Sequence, residues 1–166
     1  MKNEKYIVDI LAFGAHPDDV ELGCAGTIIK QVKAGNSVAI VDLTKGELGT
    51  RGTVAQRMNE VKVSSQILGL SHRENLGLRD GFILNDEKNR MAVIKAIRKY
   101  RPKVVLANAI YDRHPDHGNA AALIREAAFL SGLAKIGTKV NGKKQTEHRP
   151  AVVYHYIQAL HVKPDF

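Results

Sequence analysis

Several features that mark common protein classes are missing from this sequence of 166 residues. Its one cysteine, Cys24, cannot form an internal disulfide, which favours a reducing, cytoplasmic compartment. No apolar run is long enough to span a membrane, and no apolar segment of the signal-peptide type precedes the first expected strand. We therefore expect a cytoplasmic protein with no membrane partner.

Sequence signs of nucleic-acid and nucleotide binding are also weak. The formal net charge is +8, but Lys and Arg are spread along a chain with only 5% aromatic residues, which argues against a nucleic-acid partner. A solvated basic surface is the simplest interpretation, and attraction of an anionic small substrate is the second. No G-x-G-x-x-G follows the first expected strand, and there is neither a P-loop nor a G-x-S-x-G nucleophile elbow.

Strand-like apolar runs alternate with helix-like patterns along the chain. The expected strands cover residues 6–13, 37–43, 74–76, 104–107 and 152–157. The expected helices cover residues 19–34, 54–68, 87–100 and 116–133, and loops are expected over 44–52 and 137–147. This alternation predicts an α/β fold with a mostly parallel sheet and helices on both faces, in a single domain over residues 1–166.

The tripeptide His-Pro-Asp occurs twice, at residues 16–19 (HPDD) and 114–117 (HPDH), each time where an expected strand runs into an expected helix. An open α/β sheet binds its ligands beyond the carboxyl ends of the strands. His16 and Asp19 are three residues apart, so they share one side of a first helical turn. With His117 they would form a two-histidine, one-carboxylate set that binds zinc, although the same set also suits Fe²⁺.

Three more polar residues of these segments are candidates for catalysis. Asp18 could take a proton from the attacking water. His114 could stabilise a developing oxyanion or donate a proton, and Asp116 could hold the His114 ring in one orientation. The competing interpretation of the aspartates is that they cap the helices that follow.

Arginines near the same end of the sheet are candidates for substrate binding. Arg51 and Arg57 lie in or just after the glycine-rich segment 44–52 and could grip a carboxylate or sugar hydroxyls. The alternative for both is solvent exposure or pairing with a helix residue such as Glu60. Arg113 flanks the second His-Pro-Asp copy and could line the mouth of the site.

Two segments resemble the signatures of a known family. Residues 15–27 (AHPDDVELGCAGT) and 113–117 (RHPDH) are similar to the LmbE-like, or GlcNAc-PI de-N-acetylase-like, family of zinc-dependent sugar N-deacetylases. Within that family, segments 44–53 and 112–117 look most like the bacillithiol-pathway enzymes, which deacetylate N-acetylglucosaminyl malate. The resemblance extends over the whole chain and implies the Rossmann-like sheet of that family.

This resemblance implies a role for each matching residue. It assigns His16, Asp19 and His117 to the zinc ligands, Asp18 to the general base and His114 to the oxyanion-stabilising or acid histidine.

The same resemblance extends to substrate binding and assembly. Arg57 matches a substrate-contacting arginine, and Arg149 matches another basic residue near the pocket. Family members are often homo-oligomers. They usually continue past the strand near Tyr156, so the C-terminal part of the family fold is expected to be missing here.

The activity implied is that of a zinc-dependent amidohydrolase. It would remove the N-acetyl group from a small N-acetylglucosamine conjugate, with N-acetylglucosaminyl malate as the first candidate. One alternative is a related deacetylase acting on a chito-oligosaccharide or an inositol conjugate. The alternative from another class is a non-catalytic sugar- or nucleotide-binding module on a Rossmann-like scaffold.

Overall fold

The computed structural model describes residues 6–160 and 163–165. Its strands are β1 (Ile10–Gly14), β2 (Val38–Asp42), β3 (His72–Asn75), β4 (Val104–Ala107), β5 (Lys139–Val140), β6 (Lys143–Lys144) and β7 (Val152–His155). Its helices are α1 (Asp19–Lys33), α2 (Val54–Leu68), α3 (Glu87–Tyr100) and α4 (Pro115–Leu130). Five strands form one parallel sheet in the order β3-β2-β1-β4-β7, so the predicted α/β, Rossmann-like class is confirmed.

Strand β1 shows how the sheet is covered on both faces. Its alternate residues Leu11 and Phe13 belong to the apolar cluster that also contains residues of α3 and α4. Its other residues, Ile10 and Ala12, belong to the cluster formed with α1 and α2. A strand buried on both faces has no polar alternation, which is why its sequence is a continuous apolar run.

Local sequence signals set the ends of two helices at the predicted residues. Helix α2 begins after Thr53, whose hydroxyl accepts from the Gln56 N–H while the Gln56 side chain accepts from the Thr53 N–H. It ends at Gly69, which adopts a φ of 69° that favours glycine. Helix α3 begins after Asp86, whose carboxylate accepts from the Asn89 N–H.

Other boundaries differ from the prediction. Residues 137–147 were predicted as a loop but contain the antiparallel β5–β6 hairpin, whose turn is Asn141-Gly142 with φ values of 50° and 75°. Asn-Gly is the usual two-residue hairpin turn, so this signal was present in the sequence. Helix α4 is capped by His114 and not by Asp116 as predicted. No helix in the described part of the chain is long and apolar enough to cross a membrane.

Helix α1 is kinked at Cys24, where φ is −149°, just behind the first His-Pro-Asp segment. The buried side chain of Tyr156 lies next to this position, at Gly23. Its hydroxyl donates a hydrogen bond of 2.8 Å to the Phe13 carbonyl, and its ring lies against the Cα of Gly23. The tyrosine thereby joins the end of β1 to the start of α1.

We predict that Gly23→Ala lowers the free energy of unfolding by about 1–3 kcal/mol, because the new methyl group would overlap the Tyr156 ring. Gly26→Ala is the matched control, since nothing other than its chain neighbours and the nearby backbone of its own helix lies within 4 Å of its would-be methyl group. This control is expected to be neutral or to stabilise the helix by up to about 1 kcal/mol. Urea unfolding of both variants measures the difference, and equal stabilities would contradict the proposed role of the glycine.

Candidate active site

A cavity of about 530 Å³ lies beyond the carboxyl ends of β1 and β4, where both His-Pro-Asp segments emerge. Its lining includes seven of the residues singled out from the sequence, namely His16, Asp18, Asp19, Arg57, Arg113, His114 and His117. Parallel strands deliver their following loops to the same edge of the sheet, so residues about 100 positions apart share one pocket.

Asp19 lies between the two histidines predicted as metal ligands. The ring centroids of His16 and His117 are 5.4 Å apart. One Asp19 oxygen is 3.6 Å from His16 Nδ1, and the other is 3.1 Å from His117 Nε2. Two ligands of a tetrahedral ion with bonds of about 2.0 Å are separated by roughly 3.3 Å, which is close to both distances, although the two contacts are made by different oxygens of Asp19.

The surroundings of His117 fit a ligand histidine as well. Its buried Nδ1 makes no hydrogen bond within the described part of the chain, although Asp112 Oδ1 lies 3.0 Å away. Asp112 can accept the Nδ1 proton when Nε2 faces an ion, which is the usual arrangement around a metal-bound histidine. The residues therefore fit a divalent cation, and the assignment of His16, Asp19 and His117 as its ligands stays a prediction.

Two carboxylates hold the other nitrogen of His16. Nε2 lies 3.0 Å from Asp80 Oδ1 and 3.3 Å from Asp116 Oδ2. Two groups of three residues have donor atoms that all lie within 4.8 Å of one another. One is His16, Asp80 and Asp116, and the other is His16, His114 and His117. We interpret the two acids as acceptors of the Nε2 proton, since this leaves Nδ1 facing Asp19.

The histidines and Asp19 shift each other's proton affinities. Burial lowers the pKa of His16, but the hydrogen bond and charge of Asp19 outweigh burial and raise this pKa to about 9. The pKa of His117 is raised because contacts with Asp19 and Asp112 outweigh burial. Burial raises the pKa of Asp19, but its hydrogen bonds to His117 and His16 hold it well below the usual range. The carboxylates of the site therefore favour the protonated, positively charged form of both histidines.

Asp116 does not hold the His114 ring with its carboxylate, so the role predicted for it is corrected. The fully buried carboxylate accepts hydrogen bonds from the backbone N–H groups of Gly81 at 2.7 Å and Ile83 at 3.2 Å. The bond to His114 comes instead from the Asp116 backbone N–H, which donates to Nδ1 at 3.2 Å. His114 therefore carries its proton on Nε2 when neutral. Burial and the charges of His16 and His117 lower its pKa, which favours the neutral form.

Asp18 lines the cavity, and its side chain does not cap a helix. It occupies the N-cap position of α1, but its side chain makes no capping hydrogen bond. Its carboxylate is 46% exposed and accepts a hydrogen bond of 2.7 Å from Arg57 Nη1. Arg57 thus lies at the cavity, as predicted, and fixes one oxygen of Asp18.

The other two predicted arginines lie away from this cavity. Arg51 is exposed in the loop before α2 and lines a separate depression with Thr53 and Glu60. Arg149 precedes β7, so it lies at the amino ends of the strands. There its guanidinium group stacks on the ring of Phe129, with 4.2 Å between the guanidinium carbon and the ring centre. The prediction that Arg149 lies near the pocket is therefore wrong.

Three polar residues of the site were not recognised from the sequence. Asp80 lies in the loop after β3 and contacts His16, and no motif points to it. Asn108 directly follows β4, a position where functional residues are common, so a signal was present. Gln158 follows β7 and donates to Asp19 at 3.0 Å.

Comparison with known proteins places the chain in a family. The family described as PIG-L, GlcNAc-PI de-N-acetylase, matches residues 11–128. The diacetylchitobiose deacetylase of Thermococcus kodakarensis is 35% identical over 75% of this chain and 50% of its own length. A probable N-acetyl-α-D-glucosaminyl L-malate deacetylase 2 of Bacillus anthracis is 29% identical over 76% of this chain and 61% of its own length.

The fold agrees with this relationship. The crystal structure of a conserved protein from Thermus thermophilus superimposes with a TM-score of 0.89 and is 39% identical, over 96% of this chain and 70% of that one. The chain spans about half the length of the Thermococcus relative. Both His-Pro-Asp segments fall inside the matched residues. The chain therefore belongs to the PIG-L, or LmbE-like, family of GlcNAc-PI de-N-acetylases.

Proposed function

We propose that this protein is a zinc-dependent N-deacetylase that hydrolyses the acetamide group of a small N-acetylglucosamine conjugate. The observation that carries the proposal is the contact of Asp19 with both His16 and His117, in a cavity also lined by Asp18 and His114. Family membership supports the reaction class.

His16 Nδ1, an Asp19 oxygen and His117 Nε2 would hold the ion. When bound, zinc polarises the acetamide carbonyl and makes water more acidic. Fe²⁺ stays an alternative, because two histidines and one carboxylate suit both ions.

The protein's own residues would move the protons. Asp18 takes a proton from the attacking water as the new C–O bond forms, and the Arg57 hydrogen bond keeps its carboxylate at the cavity. His114, neutral and protonated on Nε2, donates a hydrogen bond to the developing oxyanion. The C–N bond then breaks as the leaving amine takes from Asp18 the proton that Asp18 removed from the water.

We infer that the aglycone is anionic, with N-acetylglucosaminyl malate as the first candidate. Arg113 lines the cavity and is exposed, and within the described residues it makes no hydrogen bond or ion pair. A free guanidinium is a good partner for a malate carboxylate. The Bacillus relative supports this substrate, and the Thermococcus relative supports diacetylchitobiose as the alternative. A cytoplasmic setting and a homo-oligomeric state stay predictions.

We predict that Asp18→Asn retains zinc but releases acetate about 10²–10⁴-fold more slowly, because the base is lost. His117→Ala is expected to lose zinc as well as activity, since a ligand is removed. Arg149→Gln, which lies away from the cavity, is the control and should keep both properties. Zinc content of purified protein and acetate release together test the assignment. Undiminished release by Asp18→Asn would contradict the role of Asp18 as base.

Zinc binding at about pH 7.5 is expected to release protons, because the pKa of His16 is raised to about 9 and a ligand must be deprotonated. Asp19 is already ionised at this pH and contributes none. Zinc affinity should therefore fall as the pH is lowered. In the metal-free protein the His16 proton stabilises the fold below about pH 6.5, and this stabilisation is lost as the pH rises through about 9.

Calorimetric titration in buffers of different ionisation enthalpy measures the released protons. His16→Gln should bind zinc more weakly and release fewer protons. Zinc uptake without proton release would contradict the assignment of His16 as a ligand.

Arg113→Gln should raise KM for N-acetylglucosaminyl malate by about tenfold and leave the rate on diacetylchitobiose unchanged, because only the first substrate offers a carboxylate to the arginine. Acetate release from both substrates at low and high salt measures the effect, since added salt screens an exposed ion pair. Arg149→Gln is again the matched control. Faster wild-type turnover of diacetylchitobiose, with no selective effect of Arg113→Gln, would favour the chito-oligosaccharide alternative.

A further inference from the structure

The carboxylate of Asp19 is surrounded by donors although it is only 3% exposed. Its Oδ2 accepts from the backbone N–H of His16 at 2.9 Å and from Asn108 Nδ2 at 3.0 Å. Its Oδ1 accepts from Gln158 Nε2 at 3.0 Å and lies 3.1 Å from His117 Nε2. Both oxygens are therefore fixed by the protein, and with His16 Nδ1 at 3.6 Å from Oδ2 two of the five contacts come from side-chain amides.

The two amides also orient each other. Asn108 Oδ1 accepts from the Ala15 N–H at 3.0 Å, so its NH₂ group must face Asp19. The second proton of that NH₂ group is donated to Gln158 Oε1 at 3.0 Å, so the Gln158 NH₂ group must face Asp19 as well. Rotating either amide by half a turn would place its oxygen against the carboxylate. We call this pair, Asn108 and Gln158, the carboxamide clamp.

The segment that carries Gln158 also contacts the surroundings of His117, through Asp112. The N–H of Ala159 donates to Asp112 Oδ2 at 3.0 Å. The other oxygen of Asp112 accepts from the His114 N–H at 2.9 Å and lies 3.0 Å from His117 Nδ1. Residues 158–159 thus touch the surroundings of both Asp19 and His117.

The partners of Asp19 differ in charge from the partner of Asp18, because the carboxamide clamp is neutral. Asp18 is paired with a guanidinium, that of Arg57. Asp19 is held by the neutral amides of Asn108 and Gln158, with histidines as its remaining side-chain contacts. Neutral donors fix the position of a carboxylate without cancelling its charge, so the two amides do not compete with a cation for the charge of Asp19.

We propose that Asn108 and Gln158 are positioning residues that hold the Asp19 carboxylate ready for the metal ion. The inference rests on the proposed function insofar as Asp19 is taken as a metal ligand. Groups that orient ligands in this way typically contribute 10–100-fold to metal affinity. Neither amide touches the reacting atoms in this proposal, so their effect appears in metal binding and not in the chemical step.

The test is the zinc affinity of Gln158→Met, which keeps the length of the side chain but removes its donor. Gln158 is partly exposed, so the fold is expected to tolerate the change, and Gln158→Ala serves as a second variant. Gln66→Met, on the exposed face of α2, is the matched control. Competition with a chromophoric chelator should show zinc binding that is about 10–100-fold weaker in the Gln158 variants and unchanged in the control.

Activity at different zinc concentrations separates positioning from a merely structural effect. With limiting zinc the Gln158 variants should be less active than the wild type, and saturating zinc should restore their kcat. Wild-type zinc affinity in both variants would contradict the role proposed for the carboxamide clamp and leave the proposed function standing. The same conclusion would follow if saturating zinc failed to restore the kcat of the variants. If the wild type itself binds no zinc, the proposed function and the clamp fall together.

Discussion

The buried carboxylate of Asp19 is the contact on which the candidate site depends. It lies between His16 and His117, which arrive from opposite halves of the chain at neighbouring strand ends. A buried carboxylate without partners would be strongly unfavourable, so its surrounding donors are needed for the fold as well as for the site. The same interaction explains why the raised pKa values of the histidines and the lowered pKa of the aspartate occur together.

Carboxylates also connect the loops around the cavity to one another. Asp80 accepts from the Leu48 N–H at 2.7 Å, and Glu47 accepts from the Asp80 N–H at 3.0 Å, so the loops after β2 and β3 hold each other. Asp80 and the buried Asp116 also face the same nitrogen of His16. The loop after β3 is therefore attached both to its neighbour and to the centre of the site. Loops fixed in this way supply the rigidity that precise placement of functional groups requires.

The two aspartates of the first His-Pro-Asp segment have different environments although they are adjacent in sequence. Asp18 is half exposed and bound to Arg57, whereas Asp19 is buried and held by neutral amides. One is accessible to water, and the other offers its charge inside the site. This division matches a base beside a metal ligand, and the separation follows from the first turn of α1, which directs successive side chains to different sides.

The sequence by itself determined the α/β class, the bounds of α2 and α3, and the place of both His-Pro-Asp segments at strand-to-helix junctions, because apolar periodicity, capping residues and turn residues act over a few positions. It did not determine the partners of Asp116, the position of Arg149 away from the cavity, or the roles of Asp80 and Gln158. Those depend on which loops meet at one edge of the sheet. That meeting is set by strand order and long-range packing, and only the tertiary structure decided it.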